Sequence, residues 1–342
     1  MKIAMFTDIH WGAKGNSLQH NQDCIDYVHW FIKNLRAEKC DTIVFMGDWF
    51  ENRNAINVQT LNMSYDGLKL LDDLGIPIYF CIGNHDLYHR GNRQLYSTYH
   101  FNKFENVRLV SDPLIEGDLM FFPYLFKDEY PAAAGLINKH DPQYVFGHFE
   151  FRNFVVTGSD RVIEHGPDHK LFAGPKYLFS GHFHKRQVSD NIVYIGNTFP
   201  TNYGDVWDDA RGMCILNTET EGVEFIDWEE CPKYRKIKLS DVLSDANLTF
   251  PEKCRVRCLI DVDIGYSEAQ TLKEEFIKQL LLREFSLEEN INEKKDAIAG
   301  EDADIEFDIG SLNDAVIKML KTGITGTSTI EASRLIEIYN QL

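Results

Sequence analysis

The sequence predicts an α/β fold, a layered sandwich with a small α+β domain and a C-terminal helical tail appended. Three observations predict it. Short apolar runs alternate with helically spaced stretches as far as about Trp228. Several of those runs are continuous rather than alternating, as in strands buried on both faces. The chain changes character near Cys231-Pro232, and again in an acidic stretch ahead of its last residues.

Taken in order, the predicted strands are KIAMFTD, TIVFMGD, IPIYFCIGN, YVFGH, YLFSGH and IVYIGN. Cys24 to Ala37 carries apolar residues at helical spacing between the first two, and Thr60 to Leu74 does so between the next two. Alternation of this kind builds layered α/β folds. After Cys231, Tyr234 to Leu239 and Arg255 to Val262 read as strands with alternating basic and apolar positions. Glu268 to Phe285 reads as an amphipathic helix with Leu272, Phe276, Gln279 and Leu280 along one side. From Ser286 to Asp308 nine acids stand against two lysines, a net of -7, and the stretch reads as a linker or solvated loop.

Two short helices are expected beyond it, Ser311 to Lys321 and Ser328 to Leu342, the second opening with a capping-box pattern between Ser328 and Glu331. Neither can bury its apolar stripe alone, so they dock on the body or bind another protein. The expected domain plan is residues 1–230 for the α/β body, 231–286 for the small domain, 287–308 for the linker and 309–342 for the tail.

Composition narrows the class. At 342 residues the chain exceeds what one core usually serves, and 44% hydrophobic with 26% charged residues is ordinary for a folded soluble protein. No apolar run is long enough to span a bilayer. The first polar motif begins at Asp8, so no cleaved leader is expected. The seven cysteines are scattered with no CxxC, which reads as buried thiols in a reducing cytoplasm. Cys254 and Cys258 share one face of a strand, but no further ligands for a metal stand nearby. A net charge of -18 argues against strong unaided binding to nucleic acid. With DNA as substrate, bound metals and a partner must supply much of the positive field.

Five clusters carry the chemistry: Asp8-Ile9-His10, Gly47-Asp48, Gly83-Asn84-His85-Asp86, Gly147-His148 and Gly181-His182-Phe183-His184. Each ends an apolar strand, where ligands bind in α/β sheets. The preceding glycines suit sharp exits there. Carboxylate, amide and imidazole donors without thiolate suit Mn, Fe, Mg or Zn. A carboxylate can bridge two cations about 3.5–4 Å apart, and such a pair holds both the attacking and leaving oxygens of a phosphoester. His85, between a donor and an acid, is the candidate to protonate the leaving oxygen.

DxH, GDxF, GNHD, GH and GHxH in this order resemble the calcineurin-like metallophosphoesterase superfamily. GDWF and GNHD depart from the Ser/Thr protein phosphatases and resemble the SbcD-type repair nucleases, in particular the recombination endonuclease subunits of T-even-like bacteriophages. The likeness runs through SGHFH, YIGNTFPTNYGD and ARGMCILNTETE and covers residues 1 to about 230. It implies that Asp8, His10 and His184 hold one metal, Asn84, His148 and His182 a second, with Asp48 bridging and His85 catalytic. It implies manganese, with Mg2+ as a second choice. It also implies 3′→5′ exonuclease and endonuclease activity on DNA, and a 2:2 assembly in which a nuclease homodimer meets an SMC-like coiled-coil ATPase. A helical dimer contact would fall in Val58 to Leu74 and Gln94 to Phe104, with the small domain capping the site and the tail docking on the ATPase. His89, Arg90, Arg93, Lys185 and Arg186 flank the motifs and are candidate phosphate contacts. One position departs: cellular members often have a histidine three residues after the bridging Asp, and here it is Glu51.

Two rival functions use the same residues. One is a metallophosphatase or phosphodiesterase acting on a small molecule or phosphoprotein, because the site alone does not define a substrate. The other is a non-catalytic scaffold, against which the retention of all seven donors and His85 argues.

Overall fold

The computed structural model describes residues 1–156, 162–245 and 247–289. The predicted helices after residue 309, and all of the acidic stretch beyond 289, lie outside the described residues. Four parallel strands open the fold: β1 (Lys2–Phe6), β2 (Thr42–Met46), β3 (Ile78–Cys81) and β4 (Val107–Val110). A four-residue turn of helix, α1 (Ala13–Asn16), and the long α2 (Leu18–Ala37) connect the first two, and α3 (Val58–Asp72) the next two. Ser17 caps α2 and Asn57 caps α3, each side chain accepting backbone N–H groups of the first turn.

A second sheet follows from β5 (Leu114–Glu116), β6 (Leu119–Phe121), β7 (Tyr144–Gly147), β8 (Tyr177–Ser180), β9 (Gln187–Ser189) and β10 (Ile192–Tyr194), with α4 (Tyr130–His140) before β7. Then β11 (Gly212–Asn217) returns to pair antiparallel with β1, and β12 (Gly222–Asp227) closes that edge. The sheet orders are β12-β11-β1-β2-β3-β4 and β5-β6-β7-β8-β10-β9.

Side chains alternate across each strand, so one strand feeds two cores. Ile3 and Met5 of β1 point between the sheets with Val44, Met46, Phe121, Phe146 and Phe179. Ala4 and Phe6 point outward against Tyr27, Val28 and Phe31 of α2 and Leu68 and Leu71 of α3. Met120, Val145 and Leu178 do the same for the second sheet, against Tyr130, Ala133 and Ile137 of α4. The result is a helix–sheet–sheet–helix sandwich. Strands covered on both faces read as continuous apolar runs, which is why the sequence shows them so clearly. Between the sheets, Tyr79 stacks on Phe121 at 4.1 Å and 7°, and Phe121, Phe146 and Phe179 continue the stack across three strands. Such pairs add about 0.5–1.5 kcal/mol each beyond area burial.

A third, all-parallel sheet, β13 (Lys233–Lys238), β14 (Cys254–Ile260) and β15 (Glu284–Glu289), carries α5 (Leu239–Ser244) and α6 (Tyr266–Gln279). Cys254 and Cys258 lie in its apolar core, with burial raising their thiols to about 11 and about 12. Arg283 pairs with Asp23, Lys253 with Asp26, and Arg255 reaches Gln19, tying this sheet to α2. Arg235, on a strand read as alternating basic and apolar positions, is buried against Asp209.

Three expectations are corrected. The helix predicted to Phe285 ends at Gln279: Leu281 turns left-handed at φ 52, and Leu282, Phe285 and Leu287 then serve the small core. The acidic linker therefore cannot begin at 287, because β15 runs to Glu289. Gln94 to Phe104 is helical only as one short 3-10 helix, Tyr99–Lys103. Leu95 and Ser97 are held instead in bonds to the segment after β3, Leu95 accepting from Tyr88 N–H and Ser97 donating to the Asp86 carbonyl.

Candidate metal centre

Asp8 and His10 follow β1, Asp48 follows β2, Asn84 and His85 follow β3, His148 follows β7, and His182 and His184 follow β8. Three of the five ends belong to one sheet and two to the other. The donors therefore meet across the rim of the sandwich rather than in the crevice of a single sheet.

They fall into two groups. Nε2 of His10 and Nε2 of His184 face each other at 3.1 Å, and each lies 3.8 Å from Asp8 Oδ1. Oδ1 of Asn84 lies 2.9 Å from Nε2 of His148 and 3.0 Å from Nδ1 of His182. Asp48 Oδ2 stands between the groups, 3.9 Å from His10 Nε2 and 3.4 Å from His148 Nε2. All seven residues are brought together.

The outer atoms of these side chains are anchored, and the anchors fix which atom faces inward. His148 Nδ1–H donates to the Met46 carbonyl at 2.7 Å, so Nε2 is the nitrogen that faces the Asn84 oxygen and is left to ligate once deprotonated. His182 Nε2 stands 3.4 Å from a Glu150 carboxylate oxygen, leaving Nδ1 inward. His10 Nδ1 stands 2.9 Å from Glu51 Oε2, a bent contact, leaving Nε2 inward. A second partner holding the far nitrogen is how ligating histidines are oriented. Asp8 Oδ2 accepts from the Thr7 hydroxyl at 2.7 Å and the His182 N–H at 3.1 Å, whereas its buried Oδ1 has no hydrogen-bond partner among the described residues. Asp48 Oδ1 accepts from the His85 N–H at 2.8 Å, leaving Oδ2 for the centre.

Lone pairs and an orphaned carboxylate oxygen crowded together need a positive charge between them. Imidazole nitrogens about 2 Å from a divalent ion stand about 3 Å from one another, which is the spacing here. The donor set thus fits two hard or borderline cations, with Asp48 able to serve both. The carboxylates are poised for it. Burial pushes Asp48 up, but His148, His85 and His10 outweigh it and hold the group well below the usual carboxylate range. Burial pulls His148 down, yet Asp48 beside it raises it to about 9. His10 pairs with Glu51, bringing that carboxyl to about 2.

The backbone is bent to make this fit. Asp8, His10, Asp48 and His182 have φ of 53, 51, 61 and 86, left-handed values that cost on the order of 1–3 kcal/mol each outside glycine. The glycines do more than permit exits. A Cβ on Gly83 would stand 2.2 Å from Asp48 Oδ1, and one on Gly181 would stand 2.1 Å from the Thr7 hydroxyl. They let two strand ends touch.

Asp86 and Glu51 take part in ways that the motifs alone do not show. Asp86, buried behind the centre, accepts N–H bonds from Gly83, Asp48, Trp49 and Phe50 and so locks the β2 and β3 ends together. Burial, with Asp48 nearby, raises it to about 7. Its signal was its place in GNHD. Glu51 touches His10 through its carboxylate and accepts the His85 Nδ1–H at its carbonyl, 2.7 Å away. Of the expected phosphate contacts, Arg93 is paired with Glu129, and Arg186 is paired with Asp227 and lies over Phe225. His89 and Arg90 are exposed, and Lys185 is half-buried.

Residues 1–186 match the calcineurin-like phosphoesterase family. Over 231 residues the chain is 29% identical to exonuclease subunit 1 of Enterobacteria phage T4, a span covering 66% of this chain and 67% of that protein. A crystal structure of a dimetal phosphatase from Danio rerio is similar at a TM-score of 0.39 and 9% identity, over 63% of this chain and 91% of that one, a likeness too loose to carry an argument. The family match spans more than half of the sequence and every donor of the centre, so the chain belongs to the calcineurin-like phosphoesterases.

Proposed function

We propose that this chain is a metal-dependent DNA nuclease with 3′→5′ exonuclease and endonuclease activity. Mn2+ is its preferred cofactor, with Mg2+ a weaker substitute. It serves in recombination, repair and replication of DNA as the nuclease subunit of a 2:2 complex with an SMC-like coiled-coil ATPase, which residues 309–342 engage, in the host-cell cytoplasm. The observation that supports this reading most is the seven-donor centre, lying within a region 29% identical to an exonuclease subunit. Among the described residues no helix is long and apolar enough to cross a membrane.

In this reading Asp8, His10 and His184 hold one cation, Asn84, His148 and His182 the other, and Asp48 both. When bound, the pair would supply Lewis acidity toward the phosphoryl oxygens and a water. The chain's own residues do the rest. Glu51 and Glu150 hold imidazoles in the tautomer that turns a bare nitrogen inward. The Glu51 carbonyl takes the His85 Nδ1–H and leaves His85 Nε2 to hand a proton to the departing oxygen.

The test is turnover of labelled DNA by the Mn2+-loaded chain, with and without the ATPase, beside phosphopeptide and cyclic-nucleotide substrates. Cleavage of DNA with weak activity on the others is expected. Efficient phosphopeptide or cyclic-nucleotide hydrolysis with DNA left intact favours the metallophosphatase or phosphodiesterase reading, toward which the net charge of -18 leans.

A further inference from the structure

Beside the metal centre lies an open cavity of about 670 Å³, with Asn84 and His85 at its inner end. Its other lining includes Arg53, Tyr88, Arg90 and Tyr124. We propose that this cavity is a nucleotide subsite: it receives one unpaired nucleotide next to the scissile phosphate, the base stacked on Tyr88 and the backbone phosphate held by Arg53 and Arg90. The inference deepens the nuclease reading and rests on it for the reaction served.

Two observations carry it independently. The first concerns charge. Every other described arginine except Arg36 sits in an ion pair, from Arg93 with Glu129 to Arg283 with Asp23. Arg53 and Arg90 have no ion pair among the described residues, although the chain carries a net charge of -18. The Glu51 carboxylate lines the same cavity but is engaged by His10, 2.9 Å away; two guanidiniums without an ion pair beside it fit an anion brought by the ligand. A guanidinium fork matches phosphate oxygens in geometry as well as charge.

The second concerns the ring. Tyr88 lines the cavity and is 45% exposed. His89 lies with its ring perpendicular to that of Tyr88, centroids 4.8 Å apart at 88°, and the Tyr88 backbone N–H is bonded to the Leu95 carbonyl. Nearly half of the residue is open to solvent, which leaves the ring available for stacking. Both faces of a base inside a duplex are covered by its neighbours, so only a terminal or unpaired base can stack there. Stacking of this kind contributes about 1–3 kcal/mol per base and tolerates any sequence. A volume of about 670 Å³ lies within the range of small-ligand sites and suits one nucleotide.

The experiment uses the full-length, Mn2+-loaded chain and two phosphodiesters with one leaving group, thymidine 5′-(p-nitrophenyl phosphate) and methyl p-nitrophenyl phosphate. Wild type is expected to favour the nucleoside ester in kcat/KM by about tenfold or more, the size of one stacking contact. Tyr88→Ala should collapse that ratio through KM, and Tyr88→Trp should keep it. Arg53→Ala and Arg90→Ala should weaken calorimetric binding of thymidine 5′-monophosphate and flatten its salt dependence. A wild-type ratio near one, an unchanged ratio in Tyr88→Ala, or no binding of the monophosphate overturns the proposal. A chain that keeps the nucleoside preference but leaves DNA intact sinks the nuclease reading and sustains the subsite.

Discussion

The Glu51 carboxylate stands 2.9 Å from Nδ1 of His10, on the side of the ring away from the metal centre. The same residue's carbonyl is 2.7 Å from Nδ1 of His85. Where cellular SbcD-type nucleases often carry a second histidine, this chain thus carries a group that orients two others. Removing such a support typically costs 10–100-fold in metal affinity. Glu51→Ala should weaken Mn2+ binding by about that factor in calorimetry, and Glu51→Gln, which keeps an acceptor oxygen, should recover most of it. Wild-type affinity in the alanine variant would show that the contact orients nothing.

His85 donates its backbone N–H to Asp48, and its ring lies 5.0 Å from that of His10. His85→Ala should therefore retain both metals while losing about 10²–10⁴ in turnover on phosphodiesters. Metal content and rate, measured on one preparation, decide it. A variant that turns over normally removes His85 from the mechanism.

Protons and metals compete for the same nitrogens. Without metal, His148 holds a proton up to about pH 9, and His10 is also raised, because Asp8 and Glu51 outweigh the effect of its burial. An imidazole must be neutral to ligate, so binding below pH 9 releases protons and apparent affinity rises with pH. Calorimetry in buffers of different ionisation heat should show proton release on Mn2+ binding at pH 7. Affinity that stays flat between pH 6 and 9 would contradict the assignment.

Gly83 should tolerate no side chain. The added carbon of Gly83→Ala would meet Asp48 Oδ1 and its backbone nitrogen, both at 2.2 Å. Overpacking of this kind costs about 1–3 kcal/mol, and here the atom displaced is a proposed metal ligand. Denaturant melts should show that loss together with reduced metal content. An alanine variant with wild-type stability and full metal would mean that the strand ends do not touch.

Much of this was legible in the sequence because both sheets are covered on both faces. Burial made KIAMF, TIVFM and YLFS read as continuous apolar runs, and each donor follows such a run. What escaped includes β11 and β12, six residues each, and features that are nonlocal or short. β5, β6 and β9 are three residues each, too short for a pattern, and β15 continues directly from a helical-looking stretch. The roles of Glu51, Glu150 and Thr7 depend on contacts between residues far apart in sequence. The purpose of Gly83 and Gly181 is set by a neighbouring strand end. Charge also misled: Arg235, Arg255 and Arg283 were visible as basic positions, yet their partners are Asp209, Gln19 and Asp23 of the body.

Metal stoichiometry of the wild-type chain and of Asp48→Asn tests the two-cation centre most directly, read by elemental analysis and by the spin coupling of bound Mn2+. Two coupled ions per chain are expected in the wild type and at most one, uncoupled, in Asp48→Asn. A wild type that binds no more than one ion at saturation, or an Asp48→Asn variant that keeps two coupled ions, would contradict it.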